Sequence, residues 1–490
     1  MSIVNLKLTN NIVDFIPKNY NEETYSFYSL AIYIFSIPVV AQNHAGNSFI
    51  HSHKANGYIA PEEPAVLEKL NQWQDLKFGV LFHWGLYSIP GTSGSWPICS
   101  EDWITRPKSF TYESYKRWYW DLNKAFNPVN FDPDQWARIM EDAGMKYMIF
   151  TTKHHDGFCM YDSKYTDFSI AHAPLFEGNE KADVAKYVFN AFRKKNFWIG
   201  CYFSKPDWHS QYFWNDYYGC TGRGRNYKLD TEEHKQWWEN YRQFCKNQLM
   251  ELTENYGKLD ILWLDGGWVH AEDVYLEEVL QKARSGMHPG LISVDRTMKT
   301  KWENYQTPER SIPKKQLTCP WESCIPLSQS WGWNPAAQFK SSAKVIQMLC
   351  EICAKGGCFL LGVGPTAQGT IQLEVEKILK PVGTWLRKNG EAIYGTRTTS
   401  VYTNDKTNVW FTANKDGKTL YAIIPQDDET GTPTSVTWTG NIPAKGTKMI
   451  NIATRKAVKY RTAGNITTVT IPSDSYKSNG VALKYKKLAL

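Results

Sequence analysis

The candidate for catalysis that stands out in this sequence is Asp265, at the end of the segment LDILWLDG (259–266). The apolar run 261–264 before it is typical of a buried parallel strand, in which functional groups lie at the C-terminal end. A carboxylate directly after such a run is costly to bury unless it has a partner or a function. We therefore predict that Asp265 is a catalytic nucleophile at the opening of a barrel; a capped turn is the alternative interpretation.

Other apolar segments also end in ionisable side chains, which are His83, His154, His155 and Arg296. The histidines can donate to a ligand hydroxyl, bind a metal, or simply satisfy backbone groups of their own loops. Because these histidines are spaced neither as in an HExxH helix nor as in an HxH strand, metal binding is the weaker interpretation.

A nucleophilic Asp265 that attacks a glycosidic carbon would need a second carboxyl group, roughly 5–5.5 Å away, as general acid and base. Three glutamates in the loop-rich region after residue 296 are candidates: Glu303, Glu309 and Glu322. Each of them, taken alone, is more often a solvated surface residue. Glu309 lies in the sequence QTPER, where the proline stiffens a long loop that could cover the opening.

The elements that must position these residues follow a regular order. From about residue 76 to 365, short apolar strands alternate with amphipathic helices, which predicts parallel strands joined by helical crossovers. The predicted strand segments are 77–85, 146–157, 197–204, 259–266, 291–296 and 356–365. In a (β/α)8 barrel the C-terminal ends of all strands meet on one face, where active sites form. A doubly wound sheet would show a glycine-rich phosphate loop after its first strand, and the sequence has none. We predict an α/β fold with a (β/α)8-like (TIM) barrel over residues 62–396.

The pattern changes after Gly395, where helical periodicity is lost. An antiparallel β-sandwich over residues 397–490 is predicted by short β-branched and aromatic runs separated by turn signals, such as VWFTA, TLYAII, SVTWTG and TTVTIP. A chain of 490 residues is long enough for a barrel and this second domain.

Composition narrows the class of protein. The formal charge of +7 is spread over the chain without a long basic run, which argues against nucleic acid and membrane-surface partners. The 21 Trp, 28 Tyr and 22 Phe residues suit stacking on sugar rings as well as the packing of a large core. The ten cysteines show no disulfide framework.

The N-terminal segment 1–41 contains a short apolar run, 27–41, that ends Val39-Val40-Ala41. This pattern is typical of a signal peptide, and we predict cleavage after Ala41 and a periplasmic or secreted protein without membrane insertion after the signal is removed. The alternatives are that the true start lies downstream or that the run belongs to the core.

Six segments in the expected order resemble glycoside hydrolase family 29, the α-L-fucosidases. They are KFGVLFHWGLYSIPG, KYMIFTTKHHDGFCMYDS, WLDGG, SWGWN, GGCFLLGVGP and NGEAIYGT, within residues 77–396. The resemblance implies a retaining exo-hydrolase that removes terminal α-L-fucose from fucosylated glycans. The TPE sequence at 307–309 slightly favours α-1,3/1,4-linked fucose as the substrate. It implies neither a metal nor an organic cofactor.

The resemblance also implies roles for individual residues. Asp265 falls on the nucleophile of the family and Glu309 on its acid/base, with Glu322 as the alternative acid/base. Residues implied to bind the sugar are His83, Asp102 (or its neighbour Glu101), Trp103, His154, His155, Tyr202 (or its neighbour Phe203), Arg296 and Trp331. Trp331 or Trp333 would contact the fucose methyl group, and an apolar setting would keep Glu309 protonated.

Two other functions are compatible with this sequence. A fucose-binding protein would have kept the pocket and lost turnover, although the presence of both Asp265 and Glu309 argues against it. A metal-dependent barrel hydrolase would instead use the histidines as ligands.

Overall fold

The computed structural model describes residues 57–101, 104, 106–219, 222–297, 300–404, 407–472 and 479–488. The apolar run 27–41, Asp102 and Trp103 lie outside the described residues.

A seven-stranded parallel sheet forms the larger part of the structure. Its strands are hydrogen-bonded in the order β5-β4-β3-β2-β1-β7-β6. Six of them fall within the predicted strand segments, whereas β6 was not predicted as a strand. The strands are β1 (Phe78–Phe82), β2 (Tyr147–Lys153), β3 (Trp198–Ser204), β4 (Ile261–Asp265), β5 (Ile292–Val294), β6 (Glu322–Pro326) and β7 (Cys358–Val363).

Helices connect and cover the strands of this sheet. Local sequence explains where they begin. The hydroxyls of Thr231 and Ser341, for example, each accept a backbone N–H group in the first turn of the helix that follows. The helices are α1 (Pro64–Leu76), α2 (Tyr112–Trp120), α3 (Pro133–Asp142), α4 (Val184–Lys194), α5 (Glu232–Asn255), α6 (Leu276–Ser285), α7 (Ser342–Ala354) and α8 (Leu373–Asn389).

The two faces of the parallel sheet bury different clusters. Alternate side chains of a strand point to opposite faces, so Ile261 and Trp263 of β4 lie on one face and Leu262 and Leu264 on the other. The first pair belongs to an aromatic-rich cluster with Tyr147, whereas the second pair packs in the large cluster that includes the helices. A sheet covered on both faces explains why its strands are almost wholly apolar.

An irregular segment, residues 304–310, lies between the edge strands β5 and β6. On one side the Asn304 N–H donates to the Ser293 carbonyl oxygen at 2.9 Å. On the other side Glu322 N–H donates to the Gln306 carbonyl oxygen at 2.8 Å, and Arg310 N–H donates to the Cys324 carbonyl oxygen at 2.9 Å. We call residues 304–310 the bridging segment, because it is hydrogen-bonded to both edges of the sheet.

The C-terminal part forms two antiparallel sheets, with β13-β12-β16-β10-β9-β8 in one and β11-β15-β14 in the other. A separate apolar cluster, centred on Phe411 and Trp438, is buried there. The predicted runs VWFTA, TLYAII, SVTWTG and TTVTIP correspond to β9, β10, β11 and β15. The strands are β8 (Thr403–Asn404), β9 (Val409–Ala413), β10 (Thr419–Pro425), β11 (Ser435–Thr439), β12 (Met449–Asn451), β13 (Ala457–Val458), β14 (Tyr460–Ala463), β15 (Ile466–Thr470) and β16 (Gly480–Lys486).

Two further properties concern the described residues as a whole. Nine cysteines are described, and all nine are buried. Within the described ranges, no helix is both long and apolar enough to span a membrane.

Candidate active site

Asp265 is the last residue of β4, on the face that carries Ile261 and Trp263. Its side chain is 16% exposed, whereas Ile261 and Trp263 on the same face are buried. The two glycines that follow allow protein to approach closely. A Cβ atom on Gly266, which has φ +81°, would lie 2.1 Å from Pro206 Cδ, and one on Gly267 would lie 2.2 Å from the Arg296 carbonyl oxygen.

Hydrogen-bond donors and a cation surround the Asp265 carboxylate. The Tyr202 hydroxyl donates to Oδ2 at 2.6 Å and the Gly266 N–H donates to Oδ1 at 2.8 Å. Arg296 Nη1 lies 3.5 Å from Oδ1. Donors and an opposite charge stabilise the ionised form of a carboxyl group, as an attacking carboxylate requires. Burial, followed by the charge of Asp265, raises the pKa of Tyr202 well above its usual value, so this phenol remains a donor.

Arg296 connects the two carboxylates that we expected to act together. Its Nη2 donates to Glu309 Oε2 at 2.8 Å, while Nη1 faces Asp265. Burial alone would lower the pKa of Arg296, but the two carboxylates raise it above its usual value. The backbone of Arg296 is left-handed, with φ 54°, and Lys205 Nζ donates at 2.5 Å to the carbonyl oxygen of the preceding Asp295. The buried lysine therefore fixes the turn from which the guanidinium reaches both acids.

Glu309 lies on the bridging segment, opposite Cys324 of β6, and its side chain is 25% exposed. It accepts hydrogen bonds from Arg296 and from Trp331 Nε1, the latter at 3.2 Å. The expectation of an apolar setting for Glu309 is therefore wrong. Two N–H donors favour the ionised form of the Glu309 carboxyl group.

The three predicted histidines form one cluster beside Asp265. The ring of His154 lies 5.2 Å from that of His83 and 4.4 Å from that of His155. His155 Nε2 lies 3.8 Å from Asp265 Oδ2. Burial lowers the pKa of His83 and of His155 to about 4 and lowers that of His154 well below its usual value. All three rings are therefore neutral at pH 7 and can exchange hydrogen bonds with hydroxyl groups.

Two serines that no sequence pattern singled out orient these rings. The Ser204 hydroxyl donates to the Pro206 carbonyl oxygen at 2.6 Å, so it accepts the proton of His155 Nδ1 at 2.6 Å. This assignment leaves His155 Nε2 as an acceptor on the side that faces Asp265. Ser95 Oγ lies 2.6 Å from His154 Nδ1.

Aromatic side chains line the remainder of the site. Trp331 lies 5.4 Å from the His83 ring and donates to Glu309, as expected for a residue of the site. Sequence reasoning missed Trp96 and Trp268, whose rings lie 5.2 and 5.4 Å from that of His155. Trp268 follows Asp265 by three residues, and this proximity in sequence was the signal available.

Other residues that were predicted for the site lie elsewhere or interact with other side chains. Glu322 is the first residue of β6, fully buried, and accepts hydrogen bonds from Tyr147 at 2.6 Å and from Trp263 Nε1 at 3.3 Å. It thus lies at the N-terminal end of its strand, and the structure does not bring it to Asp265. Glu101, next to the undescribed Asp102 and Trp103, is ion-paired with Arg223 at 3.1 Å.

Tyr202 and Phe203, between which the sequence left a choice, lie on opposite faces of the sheet, and Tyr202 is the one beside Asp265. Trp333 lies against Gly91, whereas Trp331 contacts the histidine cluster. Within the described part of the chain, no group of three or more histidine, cysteine or acidic side chains is placed to hold a metal ion.

This arrangement of carboxylates, histidines and aromatic rings can be compared with known proteins. The sequence model of the family described as Alpha-L-fucosidase matches residues 47–391. The chain is similar to plasma alpha-L-fucosidase of Homo sapiens, with 29% identity over 408 residues, which cover 76% of this chain and 80% of that protein. It is also similar to tissue alpha-L-fucosidase of Bos taurus, with 27% identity over 435 residues, 82% of this chain and 84% of that protein.

Solved structures show the same similarity. Alpha-L-fucosidase isoenzyme 1 from Paenibacillus thiaminolyticus is 28% identical with a TM-score of 0.71, over 87% of this chain and 100% of that chain. The alpha-fucosidase of Thermotoga maritima in complex with fucose is 26% identical with a TM-score of 0.68, over 85% of this chain and 96% of that chain.

Proposed function

We propose, since this chain belongs to the α-L-fucosidase family and is a glycoside hydrolase, that it removes terminal α-L-fucose from glycans with retention of anomeric configuration. The observation that carries the proposal is the bridge formed by Arg296 between the carboxylates of Asp265 and Glu309. Retaining glycosidases use one carboxylate as the nucleophile and a nearby carboxyl group as acid and then base. Each of these two side chains is at least partly exposed and faces the same guanidinium.

In the first step of the proposed mechanism, Asp265 attacks the anomeric carbon while Glu309 donates a proton to the departing oxygen. A covalent ester between Asp265 and fucose results, and Arg296 then faces the Glu309 carboxylate alone. In the second step Glu309 removes a proton from water, which attacks the same carbon and releases Asp265. Since Arg296 favours the ionised form of Glu309 in the free enzyme, proton uptake by Glu309 accompanies productive binding.

The histidine cluster is proposed to bind the fucose hydroxyls. His83 Nδ1 is buried and has no hydrogen-bond partner among the described residues, which is unfavourable unless a ligand supplies one. His155 Nε2 is available as an acceptor, as derived above from its bond to Ser204. Tyr202 holds Asp265, and the ring of Trp331 is proposed to contact the fucose methyl group. Asp102 and Trp103 remain proposed sugar contacts on the resemblance alone.

Two experiments test the assignment of the carboxylates. Incubation with a 2-fluoro-fucosyl fluoride, followed by peptide mass spectrometry, should place the sugar on Asp265; a label on another side chain would refute the mechanism. For Glu309→Ala, added azide should restore turnover of an activated fucoside and yield fucosyl azide. Glu322→Gln is the matched control, because Glu322 is buried away from the site, and azide should not change its rate.

We also propose the finer architecture that positions this site. The bridging segment is hydrogen-bonded to both edge strands, which supports a closed (β/α)8-like barrel over residues 62–396, with a β-sandwich over 397–490. Separate expression of 57–396 and measurement of its unfolding cooperativity would test this division. A soluble, cooperatively folded fragment is expected.

Substrate linkage and location complete the proposal. The TPE sequence that carries Glu309 supports a preference for α-1,3/1,4-linked fucose. Equal rates of fucose release from α-1,2- and α-1,3-linked trisaccharides would contradict this preference. The plasma α-L-fucosidases among its relatives support a secreted or periplasmic location after cleavage at Ala41. N-terminal sequencing of the exported protein would test it, and an intact Met1 would refute it.

A further inference from the structure

We propose that a cleft beside the active site binds an anionic group, a sulfate ester or a carboxylate, on the sugar units beyond fucose. The inference rests on the proposed function, because it extends the same substrate. The cleft has a volume of about 370 Å³, within the range typical of ligand pockets. It is lined by Phe213, Gly224, Arg225, Tyr227, Lys228, Leu229, Trp238, Trp268, Val269 and Asp273.

The position of this cleft links it to the reacting centre. Its lining residues belong to the chain that follows the C-terminal ends of β3 and β4, which is the side of the sheet that carries Asp265. Trp268 separates the two sites: its ring lies 5.4 Å from that of His155, and His155 lies 3.8 Å from Asp265. A glycan whose fucose lies on the histidine cluster can therefore extend past Trp268 into the cleft.

The walls of the cleft are aromatic and well supported. Trp268 Nε1 donates to the Arg223 carbonyl oxygen at 2.9 Å, which fixes the plane of this ring. Trp238 is almost fully buried and stacks on Tyr241 with the ring centroids 5.2 Å apart. Fixed aromatic faces suit the C–H surfaces of sugar rings and lose little conformational entropy on binding.

The charges at the cleft favour an anion. The Arg225 guanidinium lies 4.9 Å from the Trp238 ring, and among the described residues neither Arg225 nor Lys228 forms an ion pair. Both side chains are exposed. Asp273 is the opposing charge in the lining, but its Oδ2 accepts the His270 N–H at 3.0 Å. Arg223, which is ion-paired with Glu101, is not part of this lining.

Two cations and one carboxylate in the lining give the cleft a net positive charge. Asp230, next to the lining residue Leu229, is a further carboxylate that interacts with Lys228, but its Oδ1 also lies 2.8 Å from His234 Nδ1. An arginine held against an aromatic ring is pre-organised for two parallel hydrogen bonds to a sulfate or carboxylate group. A neutral sugar would use the aromatic walls and leave both cations without a partner. The combination therefore points to an acidic glycan as the preferred substrate class.

Competition with a chromogenic substrate tests this inference. Lewis X trisaccharide, its 3′-sulfated form and its 3′-sialylated form are each added to the hydrolysis of 4-nitrophenyl α-L-fucoside. An inhibition constant is obtained whether or not the competitor is cleaved. We expect one or both anionic forms to bind about three- to tenfold more tightly than the neutral form at low salt. The sulfated and sialylated forms distinguish the two sources of the anion.

Variants assign the effect to the cleft. In the double variant Arg225→Gln/Lys228→Gln the ratio of neutral to anionic inhibition constants should fall to about one. Lys377→Gln/Lys380→Gln, the same loss of two positive charges on the exposed side of α8, is the matched control and should leave that ratio unchanged. Equal inhibition constants for all three oligosaccharides with the unaltered enzyme would overturn the inference.

Failure of the proposed function would have a different signature. In that case the unaltered enzyme would not release 4-nitrophenol at all. Calorimetric titration of Asp265→Ala with the same three oligosaccharides would still measure their affinities, so the cleft is tested without turnover. Equal affinities in that titration would also overturn the inference.

Discussion

Replacing Tyr202 by Phe should move the acid limb of the activity profile to higher pH. The lost hydroxyl donates to Asp265 Oδ2 at 2.6 Å, and a hydrogen bond to a charged group contributes about 1.5–3 kcal/mol. Because this bond favours the carboxylate, its removal should move the acid limb upward by about 1–2 pH units at 1.36 kcal/mol per unit. Below its pKa Asp265 is protonated and cannot attack, so activity is lost at a correspondingly higher pH.

The assay is kcat/KM for 4-nitrophenyl α-L-fucoside as a function of pH, since this leaving group needs little help from Glu309. Tyr147→Phe is the matched control: Tyr147 makes the same kind of bond, also at 2.6 Å, to the buried Glu322. Its acid limb should coincide with that of the unaltered enzyme. An acid limb that stays in place or moves to lower pH in folded Tyr202→Phe would refute the proposed coupling to Asp265.

Three further outcomes are expected. Arg296→Lys should lower kcat/KM about 10- to 100-fold in steady-state assays, because an ammonium group cannot face Asp265 and Glu309 with two separate nitrogen atoms. An unchanged kcat/KM would contradict a role for this bridge. Trp331→Phe removes an N–H donor that favours the ionised form of Glu309. The alkaline limb of kcat/KM for an oligosaccharide substrate should therefore move up by about one pH unit, and a limb that stays in place would contradict this role.

Glu322→Gln should change the pH dependence of stability, which is the third of these outcomes. Burial raises the pKa of Glu322 to about 7, so the native state binds more protons than the unfolded state between pH 4.5 and 7. Its contribution to stability therefore falls by up to about 3 kcal/mol as the pH rises through that range. Denaturant unfolding of the unaltered protein and of the variant should show that only the unaltered protein loses stability across this pH range. The same pH dependence of the free energy of unfolding in both proteins would contradict the prediction.

Much of the fold was predictable because parallel strands have a strong local signature. Continuous apolar runs marked β1 to β5 and β7, and their ends are within a few residues of those in the structure. The strand β6 (Glu322–Pro326) was missed because ESCIP begins with a carboxylate and ends with proline. Only long-range contacts with Tyr147, Trp263 and Tyr305 make that glutamate compatible with a buried strand.

Residues of the candidate site could be predicted where they end strands, but not where their position depends on loops that fold back onto the sheet. Asp265 and Arg296 were found because each follows an apolar run. The orienting role of Ser204 was not visible, because it depends on the direction of a hydroxyl that also contacts Pro206. Likewise, no local pattern indicates that Glu309 would meet an arginine 13 positions earlier in the sequence.

The bridging segment separates the positioning of Glu309 from that of Asp265. Asp265, the proposed nucleophile, belongs to a strand that is paired on both sides, so its position tolerates little change. Glu309, the proposed proton donor, is carried by a segment held through a few isolated backbone contacts, and loops whose length is not dictated by the sheet flank this segment. Insertions or deletions there can relocate the donor during evolution, and descendants can acquire new leaving groups while their bond-forming step is preserved.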